Sequence, residues 1–378
     1  MMTPSPRALL AALLGLGWLL AACQAPSAAP AAGAGAAPPA ANAPAASGAA
    51  YRQAVLDGAR QEGELTVTMT STWPPDGLRA LEAEIEREFG VRLQIHFTPV
   101  GSYPQRVGSL LSELAANTTP SFDLYQSSDA SSLVLLQEDA LEPTDWEALL
   151  PAGTPAGVVQ GDNRLVVVYT GHIGAMYDPN VIPEAMAPRS IADLGDARYR
   201  GKLTLYNYTQ SYLAYAYRLG REPVFGALRA AVRGGAPADT YANGYTRFAA
   251  KEHPLLMTSS SYYLRALGAG VPAKFASLDF SLETQHHLAV ARRAAHPNAA
   301  RLLAAVLAGP AGQRIAAQYI EGASRYYENS AEYQLEEDAR AAGLPSFRWT
   351  EDGQAAALLL SPEGQALQRE IDGILQGE

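Results

Sequence analysis

The spacing of apolar residues changes repeatedly over residues 65–129, from the short runs of strands to the three-and-four spacing of helices. Leu65 to Thr70 predicts a strand. Residues 78–89 carry apolar side chains at helical spacing, and Gly90 follows where a helix would end. Residues 91–97 alternate between apolar and polar, which predicts a second strand. Strands alternating with helices predict parallel strands and an α/β architecture.

Further elements continue this order along the chain. Residues 102–105 have the capping-box pattern and precede a helical stripe, and residues 122–126 predict a third strand. A second set of elements includes strands over residues 165–169 and 203–208. Pro297 begins a helix that stops at Gly309. Residues 352–375, near the carboxyl terminus, are also predicted to be helical, and no function follows for residues 321–378.

The amino terminus carries a separate pattern. Arg7 precedes an apolar stretch from Ala8 to Ala22, which is shorter than the roughly 20 residues that span a bilayer. We therefore predict a signal peptide at residues 1–22. Its end, Leu-Ala-Ala-Cys, resembles the lipobox of bacterial lipoproteins, which implies that Cys23 is acylated and anchors the protein to a membrane. The alternative is an ordinary secretory signal with a chance cysteine.

Residues 24–50 contain no charge and little besides Ala, Pro, Gly and Ser. Such a segment has too little side-chain surface to bury, so residues 23–50 are predicted to form a lipidated, disordered linker. A flexible chain of this length reaches roughly 30 Å. The folded body is then expected to begin near Tyr51.

Composition limits the possible functions. The chain has 378 residues, 48% of them hydrophobic, which fits a folded protein of about two domains. A net charge of −10 offers no general basic surface, so nucleic-acid binding is not expected. A single cysteine excludes a disulfide framework and a cysteine-cluster zinc site.

Enzyme motifs are absent from the sequence. There is no Gly-x-Ser-x-Gly elbow, His-Glu-x-x-His pair or phosphate-binding Gly-x-x-x-x-Gly-Lys loop. The adjacent His286 and His287 fit a strand or surface pair better than a metal site, because no third ligand stands at a suitable spacing. A secreted hydrolase and a structural surface lipoprotein remain alternatives to a binding protein.

Four stretches form a further set. They are Tyr177 to Asn180, Tyr199 to Leu203, His296 to Ala300 (His-Pro-Asn-Ala-Ala) and Gly309 to Gln313. Together they resemble bacterial extracellular solute-binding proteins of ABC importers, in particular the branch that includes the ferric-ion-binding proteins. The resemblance covers most of residues 51–320, in matching order.

This resemblance implies the type II periplasmic-binding-protein fold, in which two α/β lobes are joined at a hinge and close over a ligand in the cleft between them. The first lobe would comprise residues 51–166 and 276–378, and the second lobe residues 167–275. The implied protein is a monomeric receptor without enzymatic activity, which delivers a small solute unaltered to an ABC permease. It would be held by lipid in the periplasm or on the outer face of the cytoplasmic membrane.

Candidate ligand contacts lie in the loops after the predicted strands, because open sheets bind ligands beyond the carboxyl ends of their strands. They are Ser71, Thr72, Trp73, Ser127, Ser128 and Asp129 in the first lobe, and Tyr208, Thr209, Gln210 and Ser211 in the second. Trp73 either stacks on the ligand or anchors its loop. The hydroxyl groups at helix starts suit an anion, or they only cap their helices, whereas Asp129 prefers an amine.

Tyr262 and Tyr263 resemble the paired tyrosines that hold Fe(III) in the ferric branch. Phenolate oxygens are hard donors that suit a hard cation. Adjacent helical residues point about 100° apart, so both reach one ion only at an irregular turn; otherwise one packs inside and one lies outside. The shell would need Asp129 or a synergistic anion. The ligand is therefore Fe(III) or a ferric complex, or else a polyamine, a carboxylate or phosphorylated metabolite, or thiamine.

Overall fold

A computed structural model describes residues 48–70 and 73–378. The predicted signal peptide, Cys23, most of the predicted linker, and Ser71 and Thr72 lie outside the described residues. Within those residues, no helix combines the length and the apolar character that crossing a membrane requires.

The secondary structure alternates as the sequence predicts. The helices are α1 (Gly48–Glu62), α2 (Pro75–Phe89), α3 (Tyr103–Ala115), α4 (Asp129–Gln137), α5 (Trp146–Leu149), α6 (Thr209–Leu219), α7 (Arg221–Arg233), α8 (Tyr241–Ala249), α9 (Ser260–Gly268), α10 (Pro297–Ala308), α11 (Pro310–Ile320), α12 (Ala331–Ala341), α13 (Gly353–Leu360) and α14 (Pro362–Leu375). The strands are β1 (Glu64–Met69), β2 (Gln94–Pro99), β3 (Leu124–Ser128), β4 (Val159–Gln160), β5 (Leu165–Tyr177), β6 (Leu203–Tyr206), β7 (Ala238–Asp239), β8 (Leu255–Ser259), β9 (Lys274–Ala276), β10 (Ser281–Val290) and β11 (Ser346–Phe347).

Helix α2 shows how local sequence determines an element. Leu81, Ile85 and Phe89 recur every fourth residue and are buried, so one face of the helix meets the core. Gly90 ends the helix in the left-handed conformation, with φ 65°. The predicted helix and its end are confirmed.

The predicted capping box before α3 is wrong. Ser102 occupies the position before the helix, but its side chain makes no capping hydrogen bond. The structure instead has a capping box at Ser190, where the serine side chain and Asp193 bond each other's backbone N–H groups. Spacing alone permits a cap, whereas the rotamer and the local packing decide whether it forms.

The sheet order is β2-β1-β3-β10-β5-β8-β6-β7, with β4 and β9 beside β5 and β11 beside β10. β1 pairs in parallel with β2 and β3, as predicted. β6 pairs in parallel with β7 and β8. β10 runs antiparallel to both β3 and β5, and β5 antiparallel to β8. Two parallel groups are thus joined through β5 and β10, which we call the hinge strands.

The hinge strands pass between two hydrophobic cores. Val167 and Leu288 lie in the first core, together with Leu65, Leu81 and Leu303 of the elements around it. Ile173 and Leu282, at the other ends of the same strands, lie in the second core. β5 is thirteen residues long because it contributes to both cores, and its sequence pattern predicted only its first five residues.

The carboxyl-terminal tail, residues 321–378, departs from the predicted lobe boundaries. Trp349, Leu359 and Ile371 belong to the second core, and α14 packs against α6 and α7. The assignment of the whole of 276–378 to the first lobe is therefore wrong from Phe347 to Leu375, whereas Tyr326 packs against the first core. The first core also retains β5 as far as Tyr169, beyond the predicted boundary at residue 166. Periodicity predicts an apolar helix face but not the surface that it covers.

Candidate functional site

The first polar surface lies at the carboxyl ends of β1, β2 and β3, which share one edge because they are parallel. Tyr103 follows β2, and its hydroxyl lies 2.9 Å from Nδ1 of His286. The amide of Gln126 donates to the Tyr103 hydroxyl at 3.2 Å and to Oγ1 of Thr70 at 2.7 Å. We call Thr70, Tyr103, Gln126 and His286 the first-lobe edge. It offers hydroxyl, amide and imidazole groups.

Asp129 begins α4 beside this edge and is 2% exposed. Its Oδ2 accepts a hydrogen bond from the Gln285 N–H at 3.1 Å, while Oδ1 is buried without a hydrogen-bond partner. Burial raises the pKa of Asp129 to about 8, opposed by the Gln285 hydrogen bond. Burial therefore favours the protonated form of this carboxyl, whereas a cation beside it would favour the carboxylate.

The other described first-lobe candidates are mostly structural. Trp73 is 3% exposed and belongs to the first core, so it anchors its loop and offers no stacking surface. Ser127 is 1% exposed, and its hydroxyl bonds that of Ser132 at 2.7 Å. Ser128 precedes α4 without a side-chain capping bond. Their loop positions suggested ligand contact, but the side chains of Trp73 and Ser127 point inward.

His286 and His287 are neighbours on β10 with separate partners. Nδ1 of His287 bonds the Ser132 hydroxyl at 2.9 Å, whereas His286 bonds Tyr103. Burial lowers the pKa of His286 to about 4 and that of His287 to about 3. Both imidazoles are neutral at physiological pH. The prediction that they form a strand pair is confirmed.

The second polar surface lies at the carboxyl ends of β6, β7 and β8, which are also parallel. Tyr208, Tyr241 and Tyr262 each follow one of these strands. The rings of Tyr208 and Tyr241 stack with centroids 4.6 Å apart, and those of Tyr241 and Tyr262 are 5.7 Å apart. The stack continues into the second core through Tyr206, whose ring is 5.3 Å from Tyr241. We call these four residues the tyrosine ladder.

Tyr208 forms the exposed end of the tyrosine ladder. It is 49% exposed, whereas Tyr206 is fully buried. The sequence pattern does not reveal Tyr241, because β7 has only two residues and gives no strand pattern. The ladder therefore extends a buried column of rings to the surface, where a further flat or apolar group can stack.

Tyr262 and Tyr263 lie in different aromatic neighbourhoods. Besides the ladder, Tyr262 contacts Tyr245 at 5.8 Å, and the Arg265 guanidinium lies 5.1 Å from its ring centroid. Tyr263 instead contacts Phe275 at 5.7 Å. Burial raises the pKa of both phenols. The two rings have different neighbours, as expected for adjacent residues of a helix start, and their role as joint ligands of one ion stays a prediction.

The start of α6 is partly covered by the tail. Oγ1 of Thr209 bonds the side-chain oxygen of Gln368 on α14 at 3.2 Å. Ser211 is only 6% exposed, and Gln210 is half-buried. Of the four predicted residues at this helix start, Tyr208 is the one that the structure leaves exposed to a ligand.

Two other features fall outside these surfaces. His172, Glu283 and Glu336 bring metal-ligating atoms within 4.8 Å of one another, but Arg348 already bonds both carboxylates, so an ion-pair network accounts for this cluster. A cavity of about 500 Å³ lies beside α4, and its polar wall includes Gln160 and Tyr326. Because these side chains bond each other at 3.2 Å, no ligand is needed to satisfy them.

The described lobes touch near the tyrosine ladder. Arg265, on α9 in the second lobe, lies 3.7 Å from the Glu321 carboxylate at the end of α11, which packs in the first core. Two α/β cores joined by two crossing strands, with a polar edge on each, define a two-lobed solute-binding protein.

The profile of the bacterial extracellular solute-binding protein family matches residues 67–319, more than half of the chain. The protein belongs to this family, which indicates an extracytoplasmic substrate-binding component of an ABC transporter. No curated protein matches the chain.

Solved structures confirm the fold. Iron-bound HitA from Pseudomonas aeruginosa superposes with a TM-score of 0.60 and 16% identity, over 82% of this chain and 99% of its own. The binding protein MotA from A. tumefaciens, in complex with glucopine, gives a TM-score of 0.59 with 14% identity over 82% and 99% of the two chains. The spermidine/putrescine-binding protein PotD from Streptococcus pneumoniae gives the same values. Proteins with this fold thus hold different ligands, and the predicted two-lobed fold is confirmed.

Proposed function

We propose that this protein captures a small organic solute between its lobes and delivers it, chemically unchanged, to an ABC permease. The single observation that carries the proposal is the tyrosine ladder, which presents the half-exposed ring of Tyr208 at the carboxyl edge of the second lobe. A ring or apolar face of the solute stacks on Tyr208, and its polar groups meet the first-lobe edge.

The character of the hydrogen-bonding groups supports an organic ligand. At the first-lobe edge Tyr103 and the neutral His286 are partly exposed, whereas the Gln126 amide is 2% exposed and bonds Tyr103 and Thr70. Burial favours the protonated form of Asp129 beside this edge and raises its pKa to about 8. Such neutral donors and acceptors suit hydroxyl, amide or carbonyl groups of a solute, and contacts from both lobes would favour the closed form.

Ferric iron is the second candidate ligand. It is favoured by the tyrosines gathered at the second-lobe edge, Tyr208, Tyr241 and Tyr262, since phenol oxygens are hard donors. A synergistic anion would then have to complete the shell. Adding Fe(III) with bicarbonate to the purified protein separates the two proposals: a visible tyrosinate band that Tyr262→Phe removes supports iron, and a colourless protein supports the organic solute.

We expect a native mass spectrum of protein purified from its own host to show a bound molecule of defined mass. Tyr208→Ala should lower the affinity for that molecule about tenfold, because one ring contact contributes about 1.4 kcal/mol. Isothermal titration calorimetry with the recovered ligand measures this loss of affinity.

Met186→Ala serves as the matched control, because Met186 is 46% exposed, close to the 49% of Tyr208, and lies outside the ladder. It should bind the ligand like the wild type. Equal affinity in the Tyr208 and Met186 variants would refute the ladder as the binding surface. A recovered ligand whose covalent structure changes during incubation would refute the transport role.

A further inference from the structure

One side of the hinge strands is covered by a segment of the tail. Residues 323–351, which we call the strap, follow the region that the family profile matches, since that match ends at residue 319. The backbone N–H of Thr170 on β5 donates to the Ala323 carbonyl at 3.0 Å, and Oγ1 of Thr170 accepts from the Arg325 N–H at 2.9 Å. The strap thus bonds β5 near the middle of the strand, between the two cores.

The same side of β5 carries His172, which is fully buried. Its Nδ1 lies 2.7 Å from a Glu332 carboxylate oxygen and its Nε2 lies 3.1 Å from one of Glu336, both on α12 of the strap. Ser260, at the start of α9, donates from its hydroxyl to Glu332 at 2.6 Å. One side chain of β5 is therefore held by two carboxylates of the strap.

β10 is attached to the strap in the same way. Ser281 donates to Glu336 at 2.7 Å, and its backbone pairs with β11. Glu283 accepts from Arg348 at 2.6 Å and forms an ion pair with Arg325. Gln285 donates to the Tyr326 hydroxyl at 3.3 Å and accepts from the Thr350 hydroxyl at 2.9 Å. Every second side chain of β10 from Ser281 to Gln285 thus bonds a residue of the strap.

Protonation of His172 brings the charges of this buried network closer to balance. The negative groups that face it are Glu283, Glu332 and Glu336, and the positive groups are Arg325 and Arg348. Glu351 bonds the two arginines from the outer side, and Asp129 lies beyond Glu283. Burial lowers the pKa of His172, but the hydrogen bonds that its imidazole donates to Glu332 and Glu336 raise it to about 9. An imidazolium therefore completes the network at neutral pH.

The tail also connects the strap to both lobes. After the strap, α13 packs against α4, which follows β3, and against α6, which follows β6. α14 then packs on α6 and α7, and Trp349 and Leu359 enter the second core. Any bending of β5 and β10 must therefore move the strap or break its bonds.

We propose that residues 323–351 set the resting angle between the two lobes by bonding one side of the hinge strands. The strap limits the bending of the hinge strands. The imidazolium of His172 bonds the two strap carboxylates, Glu332 and Glu336, near the middle of β5. A receptor whose lobes rest at a set angle loses less conformational entropy when it closes on a ligand.

Electron spin resonance distance measurements test this proposal in the full chain without any ligand. Spin labels at Ser109→Cys on α3 and Ala242→Cys on α8, both exposed, report the separation of the lobes. The background variant Cys23→Ser removes the single native cysteine. We expect Glu336→Gln to shift or broaden the distance distribution relative to the parent.

The matched control is Glu337→Gln, because Glu337 is the next residue of α12 and bonds only the exposed Arg340. Its distribution should match that of the parent. If the distributions of Glu336→Gln and Glu337→Gln coincide while both proteins are folded by circular dichroism, the proposal is overturned. Ser281→Ala removes a single hydrogen bond and repeats the test if Glu336→Gln fails to fold.

A pH titration tests the role of His172. Between pH 7 and pH 10 the parent distribution should change with a midpoint near 9, where the imidazolium loses its proton. His172→Gln should show the altered distribution already at pH 7 and little further change. A parent distribution that stays constant to pH 10 would contradict the assignment of His172 as the completing charge.

Discussion

Residues of one chemical type differ in role because their surroundings differ. Tyr206 is buried as part of the second core, while Tyr208, two residues later, is half-exposed at the end of the ladder. Among the carboxyls, burial raises the pKa of Asp129, whereas hydrogen bonds from His172 and two serines lower that of Glu336 despite burial. Burial therefore decides which tyrosine stays accessible, and the hydrogen-bond partners decide which carboxyl has the lower pKa.

We predict that Asp129→Asn stabilises the protein increasingly as the pH rises from about 4 to about 8. The pKa of Asp129 is about 8 in the folded protein and 3.8 as its ordinary value. Between these values the unfolded chain binds fewer protons at this position, so the wild type loses stability as the pH rises. Asparagine does not ionise and is free of this loss.

Urea denaturation of both proteins at pH 5, 7 and 8.5 measures this difference. The free energy of unfolding of the variant, relative to that of the wild type, should increase at each higher pH. Most of this increase should be complete by pH 8.5. A difference between the two proteins that is the same at all three pH values would show that the Asp129 carboxyl is ionised in the fold.

Elements followed the sequence where their determinants are local. The end of α2 is encoded by Gly90, and the parallel pairing of β1 with its neighbours follows from the helices between them. The sequence did not predict the ends of elements that depend on distant contacts. β5 runs to Tyr177 because it passes through both cores, and the predicted tail helix over 352–375 is two helices, broken at Ser361 and Pro362.

Two glycines with the same empty surroundings should respond in opposite ways to alanine. Gly90 has φ 65° at the end of α2, and Gly108 lies within α3; nothing lies within 4 Å of a Cβ atom built at either position. Gly90→Ala should cost about 1 kcal/mol of stability, because alanine is strained in the left-handed conformation. Gly108→Ala should gain about 0.5–1 kcal/mol, because alanine favours the helix.

Thermal and urea denaturation of these two variants and the wild type provide the measurement. Losses of similar size in both would show that side-chain packing, and not backbone conformation, controls these positions.

At the scale of the whole molecule, a solute receptor must stay close to its permease. The folded body begins with α1 at Gly48, three residues before the predicted start, and the chain before it carries the predicted lipid attachment at Cys23. Two acyl chains would hold the protein at a membrane, and a linker with a reach of roughly 30 Å would let both lobes turn toward the permease.

Labelled fatty acid should therefore enter the wild-type protein in its host and not Cys23→Ser. The wild type should sediment with the membrane fraction, and the variant should remain in the extracytoplasmic soluble fraction. Equal labelling of the two proteins would contradict the lipobox prediction and leave an ordinary secretory signal.

The residues of the candidate site, like the elements, fall into two groups: those that local sequence predicts and those that depend on distant contacts. The sequence placed Tyr208, Tyr262 and Asp129 at the carboxyl ends of strands, because strand ends can be predicted from local pattern. It missed Tyr241, whose importance comes from its contact with Tyr208. It also gave the tail no role, although the strap bonds both hinge strands.

By itself the sequence determined the α/β class, the parallel strands of the first lobe and the family, because these depend on short-range periodicity and on motifs that lie together in the chain. The tertiary structure alone decided that Trp73 is buried, that Tyr262 and Tyr263 diverge, and that His172 stands between Glu332 and Glu336. His172 and Glu332 are 160 positions apart in the chain. Local pattern carries no information about such contacts, since they form only when the whole chain has packed.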